Sequence, residues 1–244
     1  MPWRQGPQIN PGIQGWKEMI SRQCSERLKR LWKNPSLLLV GLTGGIASGK
    51  STIAGMLEER GAYIIDFDRL SREIMEPGMP AFSEIIDALG KEILDHAGRL
   101  DRKKISGLVF DDSTIREKLE QITHPRIFDL FAYRAENLLK ANSDKKILAA
   151  VVPLLFEKSL QFMFHRIVLV YTPAKMQLER LIQRDGISKK DAAKILSSQL
   201  PIDEKLDYSD FVINNEGAPG TAQKEVDTLW RILIRTQRQR SQRR

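Results

Sequence analysis

The sequence predicts an α/β fold of three layers, a parallel sheet with helices on both faces, to which a helical insertion and a helical lid are added. Three observations predict it. Five short apolar runs, at residues 37–43, 63–65, 147–152, 167–171 and 211–213, alternate with stretches of helical spacing, the βαβ pattern that implies parallel strands. A turn rich in glycine and serine joins the first run directly to a helical stretch at 52–60. The gap between the second and third runs is far longer than an ordinary crossover and is itself helical in spacing.

Length and composition bound the reading. A chain of 244 residues suits one α/β domain with an insertion. Hydrophobic residues make up 41% and charged residues 29%, the balance of a soluble globular protein. No stretch approaches the ~18 apolar residues of a membrane span. Met1 to Asn10 is polar with no apolar segment behind it, so neither a membrane nor a secretory destination is expected. Cys24 is the only cysteine, which excludes an internal disulfide and fits a reducing, cytoplasmic location. The net charge is +8, yet residues 1–34 hold seven basic and two acidic side chains and residues 231–244 hold six arginines and no acid. The body between them is therefore slightly acidic, and both ends read as solvated basic extensions.

In chain order, residues 1–12 are rich in proline and glycine and read as loop. Ile13, Trp16, Met19, Ile20, Leu28, Leu31 and Trp32 recur at helical spacing, an amphipathic helix ahead of the first strand. Leu37 to Thr43 is the first buried strand, and Gly61 ends the helix that follows the turn. The second strand ends at Asp66. Between 77 and 145, Phe82, Ile85, Ile86 and Leu89, then Ile115, Leu119 and Ile122, then Ile127, Leu130 and Phe131 are spaced as helices; this is the insertion. Pro153 and Pro173 close the third and fourth strands, and two helices around Gly186 and Ser188, at about 174–200, read as a lid. The core is thus expected at 35–76 and 146–230.

The chemistry begins in the turn. Gly44-Gly45-Ile46-Ala47-Ser48-Gly49-Lys50-Ser51 matches G-x-x-x-x-G-K-[ST], with a strand before it and a helix after it. The glycines let the backbone curl so that its N–H groups converge on phosphate oxygens, and the helix adds its positive end. Lys50 bridges the β- and γ-phosphates, and Ser51 supplies a hydroxyl to magnesium. Gly45, Ile46, Ala47, Ser48, Gly49, Lys50, Ser51 and Thr52 are the expected ATP-binding set.

The loop establishes nucleotide binding but not the acceptor. A motor or transporter ATPase carries an acid at the end of an apolar strand; here the third strand runs into Val151-Val152-Pro153-Leu154-Leu155-Phe156, with Glu157 beyond. No N-K-x-D guanine signature occurs. Asp66 and Asp68 follow the second strand at the end of the sheet where ligands bind. One of them can accept the proton of an attacking hydroxyl, Asp66 in preference, or either can cap the next helix. Arg180 and Arg184 share a helix face in the lid, where Arg184, nearest the turn, is placed to neutralise the transferring phosphoryl group.

Together these stretches resemble the dephospho-CoA kinase family from about Val40 to Gly217. The matching pieces are Val40 to Ser51, Ile65-Asp66-Phe67-Asp68, Glu76-Pro77-Gly78, His124-Pro125, Val152-Pro153-Leu154-Leu155-Phe156-Glu157, Gln183-Arg184-Asp185 and Val212-Ile213-Asn214-Asn215-Glu216-Gly217. The resemblance implies a P-loop kinase with a CoA-binding insertion, transferring phosphate from ATP with magnesium to the ribose 3′-hydroxyl of dephospho-CoA. It implies Lys50, Asp66 and Arg184 as catalytic residues, with Asp66 the base. Asp68, His124, Leu155 and Glu157 would line the acceptor site, and Asn215 with Gly217 would lie by the adenine of ATP. Ser209 stands where many members carry alanine before Asp210, and Lys194 where many carry arginine. The rival acceptors are a nucleoside monophosphate or shikimate, against which the insertion and the Pro-Leu-Leu-Phe-Glu segment argue. A nucleic-acid partner, suggested by the basic ends, would bind in a salt-sensitive way. The acidic body argues against it.

Overall fold

The computed structural model describes residues 22–141, 146–217 and 219–242. Five strands, β1 (Leu38–Gly44), β2 (Tyr63–Asp66), β3 (Ile147–Val151), β4 (Arg166–Tyr171) and β5 (Phe211–Asn214), form one sheet in the order β2-β3-β1-β4-β5. All four pairings are parallel. Each expected strand is present, with its ends moved by a residue at most. β1 and β3 are buried at every position, which is why they read as unbroken apolar runs, while the edge strands β2 and β5 are only partly covered.

The helices are α1 (Arg22–Lys33), α2 (Lys50–Glu59), α3 (Phe67–Ile74), α4 (Pro80–Leu89), α5 (Arg102–Asp111), α6 (Ser113–Lys140), α7 (Ala174–Asp185), α8 (Lys189–Ser197) and α9 (Pro219–Gln242). Their starts are chemically marked. Asp66, Asp101, Asp112 and Ser188 each accept a backbone N–H of the first turn of α3, α5, α6 and α8. One face of the sheet carries α2 and α9, packed through Ile53, Leu57, Val226, Leu229 and Leu233. The other carries α1, α3 and α6, packed through Leu31, Leu70, Phe128, Phe131 and Ala135. The helical segment between β2 and β3 is therefore not wholly outside the sheet. The C-terminal half of α6 covers one face, and α4 and α5 pack on that helix.

Residues 22–34 and 231–242, the described parts of the two basic extensions, depart from the expectation of solvated extensions. The expected N-terminal helix lies outside the described residues up to residue 21, but from Arg22 onward one face of it packs on the core. Cys24 and Leu31 are buried, and the Trp32 ring lies 5.0 Å from that of His165. His165 accepts the Leu39 N–H at Nδ1 and donates from Nε2 to the Trp32 carbonyl, so it is neutral. Burial holds its pKa down to about 4. The arginine-rich end continues α9, where Leu233 and Gln237 are buried. Gln237 donates to the Ser36 carbonyl, Arg240 to that of Trp32 and Ser241 to that of Pro35. Residues 237–241 thus clasp residues 32–36, just ahead of β1. The sequence pattern alone suggests that removing residues 1–34 and 236–244 leaves turnover within a few-fold. With these contacts the expected result is instead loss of soluble, cooperatively melting protein. Leu31→Ala alone should destabilise the fold by about 2–5 kcal/mol in denaturant titration.

Candidate active site

β1 lies between β3 and β4, so the loop leaving it opens at the C-terminal end of the sheet, where the crevice of an open α/β fold lies. The loop runs from Gly44 into α2 through Ala47 at φ +56° and Gly49 at φ +89°. Two glycines are closely approached by side chains, and Gly49 is held at a positive φ besides. A Cβ on Gly45 would collide with Gln177 Oε1, and one on Gly49 with Asn215 Nδ2. Gly49 is the N-cap of α2 and brings no side-chain acceptor to its first amides, which suits an anion at that end. Ser51 and Thr52 are exposed on that first turn.

Lys50 folds back on its own loop, its Nζ donating to the carbonyls of Gly44 at 3.0 Å and Gly45 at 2.8 Å. Burial and then the nearby Lys205 hold its pKa down to about 8, with Arg184 adding to the fall and Asp68 and Glu157 opposing it. These four charges converge on the lysine that a phosphate chain would meet. The Ile46 amide is taken by Gln199 Oε1 from the lid's exit at 2.9 Å.

The two acids are placed differently. Strand β2 ends at Asp66 and α3 starts at the next residue, so the Asp66 carboxylate is drawn into the cap and accepts the Asp68 N–H at 2.8 Å. Asp66 thus fills the capping alternative. Asp68, on the first turn of α3, faces Lys50. Its carboxyl is held above the usual range by partial burial and then by the Asp66 charge, while Lys50 and then Arg72 pull it down.

Leu155 also departs from expectation. It is fully buried beneath β1, and its Cδ1 would stand 2.7 Å from a Cβ on Gly41. An apolar side chain closed under the sheet belongs to the core rather than to an acceptor surface. Glu157, two residues on, does reach the cleft, pairing with Lys205 Nζ at 2.7 Å. His124 lies in α6 beside Glu120 and Lys158, with its ring 6.3 Å from Phe128. Burial pushes its pKa down to about 4, so it is neutral near pH 7.

In the lid, Gly186 ends α7 at φ +64° and Ser188 restarts the chain as α8. Arg184 is held by Asp185 through bonds of 2.7 and 2.9 Å, with 56% of its side chain exposed. Arg180 turns the other way and donates to the Asn215 carbonyl at 2.9 Å. Asn215 in turn donates from Nδ2 to the Ser48 carbonyl at 2.8 Å, bracing the phosphate loop. Gly217 lies in the exposed bend that follows. Sequence reasoning missed Gln177, Gln199 and Lys205. Gln177 had a signal: it lies four residues before Leu181 and seven before Arg184, on the inward face of α7, and it is 1% exposed. Gln199 and Lys205 sit in polar stretches that read as surface.

The comparisons agree with this geometry. The dephospho-CoA kinase family matches residues 38–220. The dephospho-CoA kinase of Geobacter metallireducens is 43% identical, over 81% of this chain and 98% of that protein. That of Syntrophus aciditrophicus is 39% identical, over 83% of this chain and 86% of that protein. Among solved structures, TT1252 from Thermus thermophilus superimposes with a TM-score of 0.67 at 28% identity, covering 82% of this chain and 97% of that one. Dephospho-CoA kinase from Campylobacter jejuni gives 0.59 at 27% identity, covering 81% and 97%. A phosphate loop with an acid pair near it, set in a sheet shared with these relatives, makes this chain an ATP-using kinase of coenzyme A biosynthesis, a member of the dephospho-CoA kinase family.

Proposed function

We propose that this chain transfers the γ-phosphoryl group of ATP to the ribose 3′-hydroxyl of dephospho-CoA through the following division of labour. The phosphate loop and the N-terminus of α2 hold the triphosphate. Lys50 leaves the carbonyls of Gly44 and Gly45 for the β- and γ-phosphate oxygens. Asp68 accepts the proton of the 3′-hydroxyl as the new O–P bond forms and the bond to the ADP oxygen breaks. Arg184 swings from Asp185 to the transferring group as the lid closes. Magnesium, held by the Ser51 hydroxyl, would neutralise charge on the phosphates. Glu157 and His124 border the acceptor, and Asn215 and Gly217 the adenine of ATP. On this reading 35–76 and 146–230 form the kinase core, 174–200 the lid and 77–145 the acceptor-binding insertion.

The observation that carries the reading is the withdrawn Lys50, in a cleft it shares with Asp68, Glu157 and Arg184. The test is ADP production from ATP and magnesium against a panel of acceptors. Dephospho-CoA should be used far better than AMP, adenosine or shikimate, and equal activity on AMP would reject the acceptor assignment. No helix among the described residues is long and apolar enough to cross a membrane; a cytoplasmic site of action is part of the proposal.

A further inference from the structure

We propose that Lys205 is a positioning residue of the acceptor site, holding Glu157 with one carboxylate oxygen tied to the lid's exit and the other presented to a hydrogen-bond donor of the acceptor. The proposal rests on the kinase reading above.

Lys205 lies on the short turn Glu204–Tyr208 that follows the lid, between the exposed residues Glu204 and Leu206. A lysine on such a turn ordinarily extends its ammonium into water. This one is 0% exposed. A buried ammonium persists only when it is paired and hydrogen-bonded. The pairing here is with Glu157 Oε1, which also accepts the Leu200 N–H at 3.0 Å. One carboxylate oxygen thus gathers two donors from residues 200–205, while Gln199 reaches the phosphate loop at Ile46.

The other oxygen, Glu157 Oε2, is buried and has no hydrogen-bond partner among the described residues. A buried carboxylate oxygen left without a donor is strongly disfavoured unless another molecule supplies one. Its location says which molecule. Glu157 follows β3, and β3 lies between β1, which delivers the phosphate loop, and β2, which delivers Asp68. A hydroxyl approaching the γ-phosphate between Lys50 and Asp68 passes this carboxylate. Lys50 senses both Lys205 and Glu157, which puts the pair within electrostatic reach of the reacting phosphates. Lys205 therefore acts through Glu157, fixing the orientation of its carboxylate.

The test compares Lys205→Met, Lys205→Arg, Glu157→Gln and the double variant Glu157→Gln/Lys205→Met. Lys205→Met should raise the KM for dephospho-CoA by ~10-fold or more and leave the KM for ATP within ~3-fold, the pattern of lost acceptor binding. Lys205→Arg should recover most of the loss. Glu157→Gln should reproduce it, and the double variant should be no worse than the poorer single, because the two side chains act as one unit. The double variant buries no unpaired charge, so it provides folded protein should Lys205→Met prove insoluble. An unchanged acceptor KM in every soluble variant, an equal rise for ATP, or additive losses would overturn the proposal. A wild-type chain inactive on dephospho-CoA would instead sink the kinase reading.

Discussion

Replacing Lys50 with alanine is expected to lower kcat/KM by ~10² or more, since charge stabilisation is the principal catalytic term in phosphoryl transfer. The loss should not come from unfolding. Lys50 is a buried ammonium near Lys205 and Arg184, held by two carbonyls of its own loop, and its removal relieves repulsion. A companion measurement follows from the same environment. The Lys50 ammonium titrates at about 8 in the folded chain against an ordinary value of 10.5. Across that window the unfolded chain binds the proton more tightly, so wild-type stability should rise with pH. Lys50→Met should lose that rise while keeping the aliphatic packing. Steady-state kinetics, ATP titration and denaturant melts on the same preparations check both parts. Near-normal turnover in Lys50→Ala would remove the loop lysine from the mechanism.

Asp68→Asn is expected to lower kcat by roughly 10²–10⁴, the usual worth of general base help, with ATP affinity little changed. A loose transition state needs less assistance, which places the expectation toward the lower end. Asp66→Asn should behave differently. Asparagine keeps an oxygen for the Asp68 N–H and is itself a good cap, so both stability and turnover should stay close to wild type, whereas Asp66→Ala should cost about 1 kcal/mol. The reverse result, with Asp66→Asn inactive at an unchanged melting temperature and Asp68→Asn active, would return the base to Asp66. The two carboxylates are two residues apart, so each variant controls for the other's effect on local charge.

The course of the chain explains why one carboxylate was hard to tell from the other. In the sequence both follow an apolar strand and precede a helical stretch. The choice depends on where β2 stops and α3 begins, a boundary of a single residue. The phosphate loop posed no such difficulty. Its glycines, lysine and serine are consecutive, and the conformation they need is local. The same holds for the buried strands β1 and β3 and for the break at Gly186 and Ser188, each carried by neighbouring residues.

What consecutive residues determine, the sequence states by itself: the parallel sheet, the ATP loop, the lid turn and, through the ordered set of short motifs, the family. The tertiary structure decided what depends on partners far along the chain. Lys205 is buried because Glu157, 48 residues away, receives it. Leu155 is core because the sheet closes over it at Gly41. The segments around Trp32 and Arg240 are structural because Arg240 and Gln237 reach residues more than 200 positions away. Burial and ion pairing are properties of what surrounds a side chain, and only folding brings those surroundings together.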